Sequence, residues 1–196
     1  MFRRALIFFI TVTSLSVCSR VQAQTIWTGP TITFTKAAGT DPTMAANQDR
    51  ITDNVWITRG INQGIYNAKI EGAYSSFSSP ADTEWAFPFN NPLASPADLT
   101  ATNWAALTFD DWESAFGSSG QGGPASTINQ PAVLHLISDN IYLNIKFLAP
   151  WGGNGDAEFT YERSTAVPEP ASLAVIGLGL IMASCLSSRS MRIEGV

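Results

Sequence analysis

From Thr28 onward the chain is interrupted repeatedly by residues that end regular structure. Thr28-Gly29-Pro30, Gly39-Thr40-Asp41-Pro42, Arg59-Gly60, Gln63-Gly64, Ser78-Ser79-Pro80, Asn90-Asn91-Pro92, Gly117 to Pro124 and Gly152 to Gly155 are all turn or loop signals. Proline fixes φ and has no N–H to donate, so a long helix cannot run through these points. Between them lie short runs rich in Ile, Val, Thr, Trp, Phe and Tyr, the residues that suit a pleated, half-buried surface. Thr31-Ile32-Thr33-Phe34-Thr35 alternates strictly, and Val55-Trp56-Ile57-Thr58 is β-rich. Ile141 to Phe147 puts Ile141, Leu143, Ile145 and Phe147 on one face and Tyr142, Asn144 and Lys146 on the other. That is the pattern of a strand with one wet side. Val133 to Ile137 precedes it across Ser138-Asp139-Asn140, which predicts a β-hairpin with a three-residue turn. Phe159 to Glu162 reads as a last strand. Helix signals are confined to one or two turns at Ser95–Leu99 and at Phe109–Phe116. The pattern predicts an all-β fold: a single sandwich or jelly-roll-like domain, without internal repeats.

The two ends belong to a different physics. Arg3 and Arg4 precede an apolar run from Ala5 to Val17, and Val21-Gln22-Ala23 places small residues at the positions a signal peptidase reads. Residues 1–23 are therefore expected to be a signal peptide handled by the general secretion machinery and cut between Ala23 and Gln24. At the other end, the 16 residues from Ala171 to Leu186 carry no charge. As a helix they reach ~24 Å, against a hydrocarbon core of ~30 Å. Arg189 and Arg192 follow, and positive residues favour the cytoplasmic side. The expected layout is an exported β-rich domain over 24–163, a linker over 164–170, a transmembrane helix over 171–188 and a cytoplasmic basic tail over 189–196.

Pro168-Glu169-Pro170, the apolar segment and then Arg189 and Arg192 together resemble the PEP-CTERM sorting signal. The basic residues are dispersed rather than clustered, and Ile193 to Val196 follow the last of them. The resemblance implies an exosortase as partner, a membrane-embedded cysteine protease or transpeptidase of Gram-negative bacteria. It also implies transient residence in the inner membrane, removal of the helix, and transfer of the domain to the cell surface or extracellular matrix. Such proteins accompany exopolysaccharide and biofilm systems. The physical reading agrees: the prolines disfavour helix before them and keep an extended peptide accessible outside the bilayer.

Composition narrows the chemistry of the exported part. Residues 24–170 hold six basic and 15 acidic side chains, a net charge of −9. Such a surface repels phosphate backbones and argues against nucleic-acid binding. Cys18 and Cys185 lie in the two ends, so the domain has neither a disulfide nor a thiol. His135 is the sole histidine, sits in an apolar strand and has no nucleophile-elbow motif to serve, so a Ser-His-Asp triad and a zinc or copper site are both disfavoured. Carboxylates cluster as Asp110, Asp111 and Glu113, as Asp156 and Glu158, and as Asp82 and Glu84. A glycoside hydrolase would need such a pair. Calcium needs six to eight oxygens, and a loop site through Asp139 or Asp156 is the one cofactor candidate. Trp85 and Trp151 lie beside loop signals, where an exposed indole can stack on a sugar ring. The expectation is a non-catalytic structural or adhesive module associated with exopolysaccharide. The alternative is an extracellular glycan-active hydrolase using a carboxylate pair.

Overall fold

A computed structural model describes residues 24–61, 64–152 and 157–168. Among these, the short β-rich runs form nine strands: β1 (Thr25–Trp27), β2 (Thr31–Lys36), β3 (Asp49–Arg50), β4 (Trp56–Arg59), β5 (Ile65–Asn67), β6 (Thr83–Ala86), β7 (Ala132–Leu136), β8 (Ile141–Leu148) and β9 (Phe159–Ser164). One α-helix, α1 (Trp112–Ala115), and several 3-10 turns complete the regular structure. The larger sheet runs β2-β9-β8-β7-β6, with neighbours antiparallel. The smaller sheet is antiparallel β3-β4-β5. The protein is thus all-β in two antiparallel sheets, with one parallel pairing, β1 beside the first half of β8.

The period-two alternation decides what goes inside. Leu134, Leu136, Leu143, Ile145, Phe147, Phe159 and Tyr161 project from one face of the larger sheet. They share a core with Ile57 and Ile65 of the smaller sheet and with Trp112 and Phe116 around α1. Rings dominate this core: Trp85 stacks on Phe87 and Phe147 with centroids 6.0 Å apart in each case. A buried charge pair ties the two sheets together. Asp49 of β3 accepts from Arg163 Nε (2.6 Å) and Nη2 (2.9 Å), and from the Tyr161 hydroxyl (2.7 Å) of β9.

The far face of the larger sheet departs from the expected wet side. A 3-10 helix over Ala101–Ala106 lies across it, and Asn144 Oδ1 accepts the Ala101 N–H at 2.7 Å. Trp104 stacks on Tyr142 at 4.5 Å, leaving that tyrosine 7% exposed. The Lys146 end of β8 stays at the surface, where Lys146 pairs with Glu162. Two local expectations are also corrected. The β7–β8 connection is four residues, Ile137–Asn140, because Leu136 pairs directly with Ile141. Ser95–Leu99 forms turns rather than helix, with Asp98 accepting from the Ser95 backbone and hydroxyl.

Candidate functional site

Four separate segments converge on a cleft of ≈ 370 Å³. Arg59 comes from the end of β4, Tyr74 from the loop after β5, Trp112, Glu113 and Phe116 from α1 and its end, and Trp151 from the loop after β8. Asp111 makes this possible locally. Its carboxylate accepts the Ser114 N–H at 3.0 Å and caps α1, which turns Trp112 into the core while Glu113 borders the cleft. Gly64 contributes by lacking a side chain: a Cβ there would lie 2.5 Å from the Tyr74 ring and 2.7 Å from the Trp112 ring.

The walls are aromatic. Trp151 stacks on Trp112 (5.8 Å, 28°), and Tyr74 meets Trp112 edge-on (6.3 Å, 89°). The polar groups are charged and held. The Arg59 guanidinium lies 4.5 Å from the Trp151 ring centroid and donates to the Glu158 carbonyl at 2.8 Å. Glu113 accepts from the Tyr74 hydroxyl, from Ser118 Oγ (2.8 Å) and from the Phe77 N–H (3.2 Å). Burial works against the Glu113 carboxylate, but these donors outweigh it and hold its pKa below the ordinary value. Burial, with the hydrogen bond to Glu113, pushes the Tyr74 hydroxyl up to about 12. Glu113 is therefore an ionised acceptor at neutral pH, not a proton donor, and it is the one carboxylate among the described residues lining the cleft.

The expected site residues scatter. Trp151 is half-buried in the cleft. Trp85 is 0% exposed, with Nε1 donating to Thr83 Oγ1 at 2.9 Å, so the sugar-platform expectation is corrected for that residue. Period two explains it, since Glu84 faces out and Trp85 in. Asp139 accepts from Thr52 Oγ1 (2.6 Å) and Asn54 Nδ2 (2.8 Å) and fastens the β7–β8 turn to the loop before β4. Asp156 lies outside the described residues. Among the described residues, no group of three or more His, Cys, Asp and Glu side chains could hold a metal. His135 stacks on Tyr142 (4.1 Å, 2°) with Nδ1 3.2 Å from Glu84. Asp82 accepts instead from the Ser138 N–H and hydroxyl, so the Asp82–Glu84 pair is divided between two structural roles. Arg59, Tyr74 and Phe116 were not among the expected site residues, because contacts between distant segments leave no local spacing to read.

The C-terminal exit is the other functional feature. Asn144 N–H donates to Ser164 Oγ (2.9 Å), which in turn donates to the Trp27 carbonyl (2.7 Å). Gly29 N–H donates to the Thr165 carbonyl at 2.8 Å. The folded part thus extends through Thr165, two residues beyond the expected boundary, and Ala166, Val167 and Pro168 are exposed. Gln24 is exposed at the opposite end of the described chain, whereas Ala23, the rest of 1–23, Glu169, Pro170, the 171–188 segment, Arg189 and Arg192 lie outside it. No helix among the described residues is long and apolar enough to cross a membrane. Set against known families, residues 166–192 match the PEP-CTERM protein-sorting motif. The motif marks an exported, exosortase-sorted protein that transits the membrane. No curated protein and no solved structure matches the chain.

Proposed function

We propose that the exported domain is a non-catalytic surface or matrix module that holds polysaccharide in the cleft of Trp151, Trp112, Tyr74, Arg59 and Glu113. The observation that carries this reading is the pairing of aromatic walls with two fixed, opposite charges in one opening. Sugar rings present apolar C–H faces and hydroxyl edges. Aromatic side chains suit the first, and a guanidinium with an ionised carboxylate suits the second. Hydrolysis would need a protonated acid beside an ionised carboxylate, and Glu113, whose pKa is lowered, is the one carboxylate among the described residues lining the cleft. The sorting signal supports a destination outside the cell, where polysaccharide is encountered.

The test is a microbial glycan array probed with the full-length chain in detergent, followed by calorimetry with the best oligosaccharide. Trp151→Ala is expected to weaken binding at least tenfold and to lower the melting temperature, because the ring also packs on Trp112, Phe147 and Phe159. Binding is therefore measured below each variant's melt, and Glu113→Gln should weaken it several-fold. Chromatography of the titrated glycan decides the alternative: shortened products would establish a hydrolase. No binding across the array would leave the domain without its proposed ligand class.

A further inference from the structure

The six cations of the exported domain are not equally placed. Arg163 lies on Asp49, and Lys146 on Glu162. Arg59 is held against Trp151 and the Glu158 carbonyl. Lys36 is buried. The other two, Arg50 and Lys69, are exposed, and no Asp or Glu of the described residues forms an ion pair with either. Both converge on a single indole. The Arg50 guanidinium carbon lies 4.0 Å from the Trp56 ring centroid, and the Lys69 ammonium 4.7 Å from it.

Strand register produces this arrangement. Arg50 faces Trp56 directly across β3 and β4. The Trp56 carbonyl accepts the Ala68 N–H at 2.8 Å, which brings the following residue, Lys69, alongside. Gln48 Oε1 accepts from Arg50 Nε (3.2 Å) and Nη2 (3.1 Å), which fixes the guanidinium plane. Nη1 has no acceptor among the described residues. Arg50 and Trp56 border a cleft of ≈ 230 Å³ that also holds Thr43, Gln48, Tyr66 and Glu71. Glu71 does not answer the cations. Its oxygens accept the Asn67 and Ala81 N–H groups and the Ser79 hydroxyl, closing its own loop.

The ring quadrupole attracts each cation but neutralises neither. Two like charges are therefore held on one indole, without a direct ion pair among the described residues, on a domain whose net charge is −9. An oxyanion at the fixed guanidinium edge of Arg50 offsets this local positive charge, Lys69 adds attraction from the β5 side of the ring, and the guanidinium edge suits a planar carboxylate. We propose that Arg50, Trp56 and Lys69 form a binding site for the carboxylate of an acidic saccharide, apart from the aromatic cleft. Its assignment to a saccharide rests on the polysaccharide-binding reading above, while the anion site itself does not.

Calorimetry on the full-length chain in detergent tests it with three probes: oligogalacturonate, the same oligomer methyl-esterified, and sodium sulfate. Oligogalacturonate is expected to bind, to lose at least tenfold in affinity in the Arg50→Gln, Lys69→Gln double variant, and to weaken with added salt. Methyl esterification should abolish the same increment, and Trp151→Ala should leave it intact. Both substitutions are at exposed positions, and an unchanged thermal melt shows that the fold is kept. Binding that survives the double variant but vanishes in Trp151→Ala would overturn the site while sparing the aromatic cleft. Failure of oligogalacturonate to bind at all would overturn it too. Sulfate binding as tightly as the oligomer, and lost in the double variant, would overturn the saccharide assignment.

Discussion

A buried ammonium without an acceptor is costly, and Lys36 is one. Its side chain is 0% exposed at the end of β2, and its Nζ has no hydrogen-bond partner among the described residues. Burial lowers its pKa, Arg59 pushes the same way, and Asp41 opposes them. The folded protein therefore holds this proton less tightly than the unfolded chain. Stability from this group rises with pH between the lowered folded value and the ordinary 10.5. Lys36→Met keeps the length of the side chain and removes the unmatched nitrogen. The variant is expected to be more stable by about 1–3 kcal/mol at pH 7, the usual cost of a buried unsatisfied polar group. Urea denaturation of both proteins at pH 7 and pH 10 checks this. The gap should narrow at the higher pH, and a destabilised variant would mean that the amine is bonded. Arg163 shows the opposite solution, since Asp49 satisfies it bidentately and Tyr161 completes the pair.

At the scale of elements, one serine splices two strands onto a single edge. β9 leaves β8 at Ser164 and β1 takes over the same edge, with Ser164 Oγ bridging Asn144 N–H and the Trp27 carbonyl. Ser164→Ala leaves both backbone groups unpaired. A loss of about 1–3 kcal/mol is expected, and hydrogen exchange at the Asn144 amide should accelerate. Unchanged exchange there would show that the splice carries no weight. The same region shows what a sequence can disclose. β8 was legible because eight residues display their alternation fully. β1, β3 and β5, of three, two and three residues, are too short to display any. β1 also finds its partner more than a hundred positions away. The wet face assigned to Tyr142 failed for a related reason: its cover, Trp104, comes from a segment with no amphipathic period. The cleft was legible at Trp151 and at Glu113, the latter as one of a carboxylate cluster. Its other walls become neighbours through the chain path, which local spacing does not encode.

In the whole molecule, the turn between β1 and β2 closes over the last residues of the fold. Thr165 Oγ1 donates to the Pro30 carbonyl at 2.7 Å, and a Cβ on Gly29 would lie 2.8 Å from the Thr165 carbonyl oxygen and overlap the Ala166 carbonyl. Ala166 is also where the sorting-motif match begins. Five further residues lead to Ala171, and fully extended they span at most ~17 Å. The folded domain thus ends close to the apolar segment, with Pro168-Glu169-Pro170 in the short gap. Two variants separate presentation of that peptide from stability of the fold. Gly29→Val crowds the exit and is expected to cost about 1–3 kcal/mol, read as a lower melting temperature, while the motif stays intact and processing continues. Changing Pro168 and Pro170 together to Ala leaves the exit bonds untouched but removes the backbone restriction that disfavours helix in this peptide. That protein should melt like the parent and accumulate as uncleaved precursor. Mass and fractionation of the products, in strains with and without the exosortase, distinguish the two. Normal processing of the double-alanine variant would show that the enzyme does not read the extended prolines, and blocked processing of Gly29→Val would show that it reads the folded exit instead.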